Sequence, residues 1–293
     1  MKTCVVLLLL TVSFPVMALA LEESTHLQFD LQGRSLYSEN NFTDVKNPYQ
    51  GVDSFLVAKA GLWFETSRIV GPYLELIPVH TTEDEFWWQR NVQAGVGLQV
   101  YPFALQDNRF LKAVRLFGLA AYREYYDQPD DQEAEDSDLQ VGADYYFDNI
   151  LVADEILTAS IYLSAGYRKT NFALEDYEDF LWSGNLNVGP KFCFGGTTVF
   201  PCAVLDWTQS PGYKERWWEN FARVGGALRI YPFAGHADRD GEPVFLRDLA
   251  ARFQIFGEVL SNVSWLGDEA PDVVEETDIR AGIAFATGGL FRD

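Results

Sequence analysis

From Val92 to Val100 every even-numbered position is apolar and every odd one is polar or glycine. A period of two puts alternate side chains on opposite faces of an extended strand. Trp87 and Trp88 stand before this run, and Tyr101-Pro102-Phe103 follows it. About nine to eleven residues between aromatic ends is the length at which a tilted strand crosses a bilayer. The stretch returns 130 positions later, and Trp87 to Ala104 matches Trp217 to Ala234 at eight of eighteen positions. About one match would arise by chance.

The same alternation recurs along the chain. It predicts strands near His26–Gly33, Ser54–Glu65, Gly71–Val79, Ala113–Tyr125, Leu139–Phe147, Leu157–Arg168, Trp182–Cys193, Val199–Trp207, Arg252–Ser261 and Thr277–Phe285, besides the two repeated stretches. That makes twelve. Pro72 and Pro78 cannot donate to a ladder and belong at strand ends or bulges. The strand near Ala113 leaves its faces open, because Leu116 to Ala121 is apolar or glycine throughout. A short helix is expected at Val244–Leu249, within an otherwise long connection.

A soluble sandwich puts polar side chains on the face away from its core. A membrane barrel inverts this, apolar outside and polar within. The polar positions here are Gly, Ser, Asn, Gln and Arg, and the connections alternate between short and long. The expected fold is therefore all-β, a transmembrane antiparallel up-and-down barrel of about twelve strands. The repeat places like strands six apart in that ring. A doubled six-strand unit explains it, and two strands converging on one membrane pattern is the alternative.

Composition supports export. Lys2, the apolar run Val5 to Val12 and Ala18-Leu19-Ala20 form a secretory signal cleaved after residue 20, leaving residues 21–293 as one barrel domain. The chain holds 22 Lys+Arg against 43 Asp+Glu, a formal net charge of −21. Such acidity does not suit nucleic acid, whose phosphates need basic side chains.

Much of the negative charge lies in prospective loops. Asp127, Asp130, Asp131, Glu133, Glu135, Asp136 and Asp138 fall within twelve residues and read as a solvated outer loop. Glu83 to Glu85, Glu175 to Asp179 and Asp268 to Glu276 repeat the theme on the same side. None has the spacing of a calcium loop. No cofactor is expected, although divalent cations could bridge these loops to one another or to lipopolysaccharide phosphates.

The signal, the alternating strands with aromatic ends, and segments such as Gly142-Ala143-Asp144-Tyr145-Tyr146-Phe147 resemble Gram-negative outer-membrane β-barrel proteins. The resemblance is to a class and covers residues 21–293. It implies an outer-membrane location, with membrane lipid, lipopolysaccharide and the barrel-insertion machinery as partners. It also implies a terminal aromatic, a part that Phe291 would play two residues before the end. On this reading Trp87, Trp88, Trp217 and Trp218 mark the outer membrane interface, and Tyr101 and Tyr231 the inner one.

Cys193 and Cys202 flank Gly195-Gly196, share strand parity and would meet an oxidising compartment, so a disulfide is expected. His80, beside Asp84, is the one candidate for rim catalysis, without a Gly-x-Ser-x-Gly nucleophile. By parity the lumen carries Lys59, Arg115, Arg123, Arg168, Lys191, Arg223, Arg229, Arg252 and Arg280. Asp30, Glu65, Glu75, Asp144, Asp206, Glu258 and Asp278 oppose them. This mixed, marginally basic lining supports two readings. One is a narrow channel for small polar or anionic solutes or saccharides. The other is a closed barrel whose acidic outer loops work as adhesin, receptor or lipopolysaccharide-binding scaffold. A rim hydrolase at His80 is a distant third.

Overall fold

Alternation of side chains along one strand is converted into two surfaces once its neighbours align. A computed structural model describes residues 25–40, 49–64, 70–82, 90–126, 137–152, 157–170, 177–212, 220–235, 244–265 and 277–287. The strands are β1 (Thr25–Asn40), β2 (Tyr49–Phe64), β3 (Val70–Thr81), β4 (Asn91–Val100), β5 (Val114–Tyr125), β6 (Ser137–Val152) and β7 (Leu157–Thr170). They continue as β8 (Tyr177–Pro190), β9 (Phe192–Phe194), β10 (Thr197–Gln209), β11 (Phe221–Tyr231), β12 (Gln254–Trp265) and β13 (Thr277–Ala286). Both β8 and β9 pair with β10, so they form one stave interrupted at Lys191. Each stave is antiparallel to its sequence neighbour, and β13 pairs with β1. The ring is closed at twelve staves, with no free edge.

One rung settles the faces of six strands, because directly opposed residues point the same way. Asp30 pairs with Lys59, Lys59 with Glu75, Glu75 with Gly95, Gly95 with Ala121 and Ala121 with Asp138. These point into the barrel. Leu76, Leu98, Leu139, Val141, Ile255 and Ile283, of opposite parity, are exposed on the outer wall. A continuous apolar exterior of this extent is costly in water and favourable in hydrocarbon. Among the described residues no helix is long and apolar enough to cross a membrane. The ambiguous strand, β5, points Arg115, Leu119, Ala121 and Arg123 inward and Leu116 outward.

Three connections at one end of the barrel, between β4 and β5, β9 and β10, and β11 and β12, lie wholly or partly within the described residues. Gly195 and Gly196, at φ of +57° and +90°, make a two-residue hairpin that non-glycine residues adopt only with strain. A helix of one turn, α1 (Arg109–Lys112), follows β4 and was not anticipated; the Asn108 side chain caps it by accepting from Phe110 N at 2.9 Å. The expected helix is present as α2 (Val244–Ala251).

Three boundaries depart from the alternation pattern. β1 runs on to Asn40, which brings Arg34 into the barrel. β6 begins at Ser137, so Asp138 belongs to the wall and not to the acidic loop. β12 begins at Gln254 and leaves Arg252 in the turn after α2, where its Nη1 donates to the Thr287 carbonyl at 3.3 Å. Residues 1–24, 41–48, 65–69 (with Glu65), 83–89, 127–136, 153–156, 171–176, 213–219, 236–243, 266–276 and 288–293 lie outside the described residues. With them lie the signal, the four rim tryptophans, the remainder of the acidic runs at 83–85, 127–136, 175–176 and 268–276, and Phe291.

Candidate functional site in the barrel lumen

The inward charges gather into four groups. Lys59 Nζ lies 2.6 Å from Glu75 across β2 and β3. Arg115 grips Asp144 with two nitrogens, Nε to Oδ1 at 2.9 Å and Nη2 to Oδ2. Asp138, its side chain 1% exposed, accepts from Arg168 Nε at 3.0 Å and Nη2 at 2.8 Å, and from Arg123 Nη2 at 3.3 Å. These three groups stand on β2 to β7.

The fourth group lies opposite, on β10 to β13 and β1. Glu258 is met by Arg34 at 3.1 Å, Arg280 at 3.2 Å and Arg229 at 3.7 Å. Asp278 is fully buried and pairs with Arg280, with Arg223 at 3.7 Å and with the Ser38 hydroxyl at 3.3 Å. Asp206 stands across the β10–β11 rung from Arg223. Four guanidiniums therefore share three carboxylates. Buried ions tolerate this only where partners are close and held.

That group lines a cavity of about 300 Å³. Arg34, Arg229 and Arg280 supply positive charge to it, Asp206, Asn185 and Gln254 supply polar partners, and Phe256 and Leu260 form an apolar wall. The Arg34 guanidinium lies over Phe256, its Cζ 4.8 Å from the ring centre. Arg229 Nη2 donates to Asn187 Oδ1 at 2.8 Å. The Nε groups of Arg34 and Arg229 are buried and have no hydrogen-bond acceptor. Such donors make the cavity hospitable to an added acceptor.

Two inward apolar clusters narrow the same space. Phe200, Cys202, Val204, Ala227 and Leu260 pack together, with Tyr231 against them. Tyr73, Leu119 and Ala121 form the other. Tyr231 therefore faces the lumen, in contrast to the lipid-interface position expected of it. Tyr101 continues the inward parity of Gln93 and Gln99 just past the end of β4. Parity, kept to the last residue of β11 and one residue beyond β4, outweighs aromatic character at these two positions.

The expected disulfide is absent: both cysteines are free, Cys193 exposed and Cys202 buried. They share a face, as parity requires, but not a rung. The two-residue turn pairs Cys193 with Thr198, four residues short of Cys202. At about 3.3 Å per residue the separation is about 13 Å, beyond the reach of a disulfide. Lys191 sits at the interruption between β8 and β9.

His80 is exposed at the end of β3. Its Nδ1 lies 2.9 Å from the Tyr126 hydroxyl, which donates to the Val79 carbonyl at 2.8 Å. Asp84 lies outside the described residues. Among those described, no group of three or more His, Cys, Asp or Glu side chains could hold a metal ion. Reading the sequence missed Arg34 and set Asp138 in the acidic loop; each stood one residue beyond a strand end that was drawn too short.

No family model matches the chain, and no curated protein matches it. Similar solved structures include the β domain of the Bordetella autotransporter Brka, at a TM-score of 0.38 and 12% identity over 88% of this chain and 98% of that one. The NanC porin has a TM-score of 0.37 and 13% identity over 87% and 98%. A bacterial polysaccharide outer membrane secretin has 0.40 and 8% over 88% and 97%. These structures are outer-membrane β-barrels, and the closed twelve-stave ring of this chain has the same fold class. At TM-scores below 0.5, what the lumen does must be read from its own residues.

Proposed function

We propose that the chain is a narrow channel of a Gram-negative outer membrane, passing small polar and preferentially anionic solutes, saccharide acids among them. The observation that carries this is the lumenal cavity, where Arg34, Arg229 and Arg280 converge around one carboxylate, Glu258. Net positive charge held on a low-dielectric wall raises the local concentration of anions. Asp206, Asn185 and Gln254 are suited to the hydroxyls of such a solute, and Phe256 to its apolar face.

Conductance of the purified barrel in a planar bilayer tests the proposal. Discrete channel openings are expected, with anions favoured over cations, and Arg229→Ala should reduce that preference. No conductance would favour the second reading, a closed barrel with working outer loops, which the two inward apolar clusters support. On that reading the acidic loops would hold divalent cations and lipopolysaccharide.

A further inference from the structure

Phe147 of β6 is buried on the face where a barrel strand should be open. It shares parity with Leu139 and Val141, both exposed on the outer wall, and so points away from the lumen. An outward side chain of this kind would meet lipid, yet Phe147 is only 9% exposed. Its cover comes from α1. Phe110 stacks on Phe147 with 4.6 Å between ring centres, and the Arg109 guanidinium lies 5.0 Å from the Phe110 ring and 5.3 Å from that of Phe147. The connection from β4 to β5 therefore turns back over the outside of the barrel.

What this connection presents is apolar and basic. Phe110 and Leu111 are exposed, and Leu105, just ahead of the helix, is 68% exposed. Leu139 to Phe147 covers about 20 Å of depth, at about 3.3 Å per residue and a tilt of about 40°. Phe147 thus stands close to one edge of an apolar band about 25 Å tall, and α1 lies where acyl chains give way to headgroups. Arg109 and Lys112 are neighbours on the helix surface, at i and i+3. Among the described residues neither is paired with a carboxylate, and Arg109 meets the two rings. From Leu105 to Ala113 these two cations stand against Asp107, a net of +1 in a chain whose formal net charge is −21. The connection from β11 to β12 repeats the run, Phe245-Leu246-Arg247 answering Phe110-Leu111-Lys112, each after a Tyr-Pro-Phe-Ala. Leu246 is exposed as well.

We propose that α1 is a docking site for an anionic phospholipid. Leu105, Phe110 and Leu111 enter the acyl boundary, and Arg109 and Lys112 take the headgroup phosphate. Two features select this occupant. The apolar part continues the outer wall of the barrel, which faces lipid, and the excess charge favours an anionic headgroup over a zwitterionic one. A guanidinium over ring faces makes no hydrogen bond there and keeps its N–H donors for phosphate oxygens. Lys112 adds a second cation on a flexible stem, whose methylenes stay with the apolar surface. A lipid held in this way fixes the depth of the barrel at one rim. The site rests on the barrel in its membrane and not on passage through the lumen.

Native mass spectrometry of the detergent-solubilised barrel, titrated with phosphatidylglycerol or phosphatidylcholine, tests the site. Wild type should bind phosphatidylglycerol about fivefold more tightly, the preference expected of one net positive charge at a membrane surface. Arg109→Gln and Lys112→Gln should each lower phosphatidylglycerol affinity about fivefold and leave phosphatidylcholine affinity unchanged. Arg109→Lys, which keeps the charge, should stay within about twofold of wild type. Phe110→Ala should weaken both lipids alike. Equal affinity of wild type for the two lipids would overturn the proposal, as would an unchanged affinity for phosphatidylglycerol when both cations are replaced by Gln. Displacement of phosphatidylglycerol by an equal concentration of glycerol 3-phosphate would show a bare phosphate site and overturn the lipid assignment. Dimers that form in lipid-free detergent and are lost with Phe110→Ala would give this face to a second copy of the chain, and would overturn it too.

Discussion

Asp138 and Asp278 each stand second in their strands, six staves apart, and each is clamped by two guanidiniums in the barrel interior. Burying either carboxylate without such partners would be costly. Removing either carboxylate takes a buried partner from two guanidiniums at once. Asp278→Ala and Asp138→Ala are each expected to cost about 3–5 kcal/mol, the range for breaking a buried ion pair. Urea unfolding of the detergent-solubilised barrel measures this. A loss below about 1 kcal/mol would show these carboxylates to be dispensable clamps.

The cysteines give a test that needs no stability measurement. Cys193 is exposed and Cys202 is packed among Phe200, Val204, Ala227 and Leu260. A maleimide reagent should label Cys193→Ser protein poorly and Cys202→Ser protein readily. Mobility on a non-reducing gel should not depend on reductant. A reductant-dependent shift would contradict the hairpin register.

The β11–β12 seam depends on a glycine. A Cβ at Gly225 would run into the Val259 carbonyl oxygen and Leu260 Cα, both backbone, whereas one at Gly226 would lie 3.9 Å from the Cys202 carbonyl oxygen. Gly225→Ala should destabilise the barrel by about 1–3 kcal/mol, the usual cost of overpacking, and Gly226→Ala should be near neutral. Equal behaviour of the two variants in the same unfolding assay would count against the observed pairing.

The faces of the wall were legible in the sequence, because the lipid and the lumen impose opposite polarity on successive residues. Val92 to Val100 and Leu157 to Arg168 show this plainly, and their parity matches the barrel. Rung-level pairing was not legible. It depends on turn length, and placing Cys193 opposite Cys202 overlooked that a Gly195–Gly196 turn fixes Thr198 as the partner. Strand ends were also lost where charge outweighed pattern. Asp138 was grouped with the acids before it, yet two arginines on neighbouring strands hold it inside.

On the channel reading, net positive charge in the lumen makes this barrel favour anions. The most direct measurement is the reversal potential of single wild-type barrels in a planar bilayer under a potassium chloride gradient. Its sign should show chloride to be more permeant than potassium, and the preference should fall when Arg34 and Arg229 are replaced together by Gln. A barrel that does not conduct, or one that prefers potassium, would contradict the account.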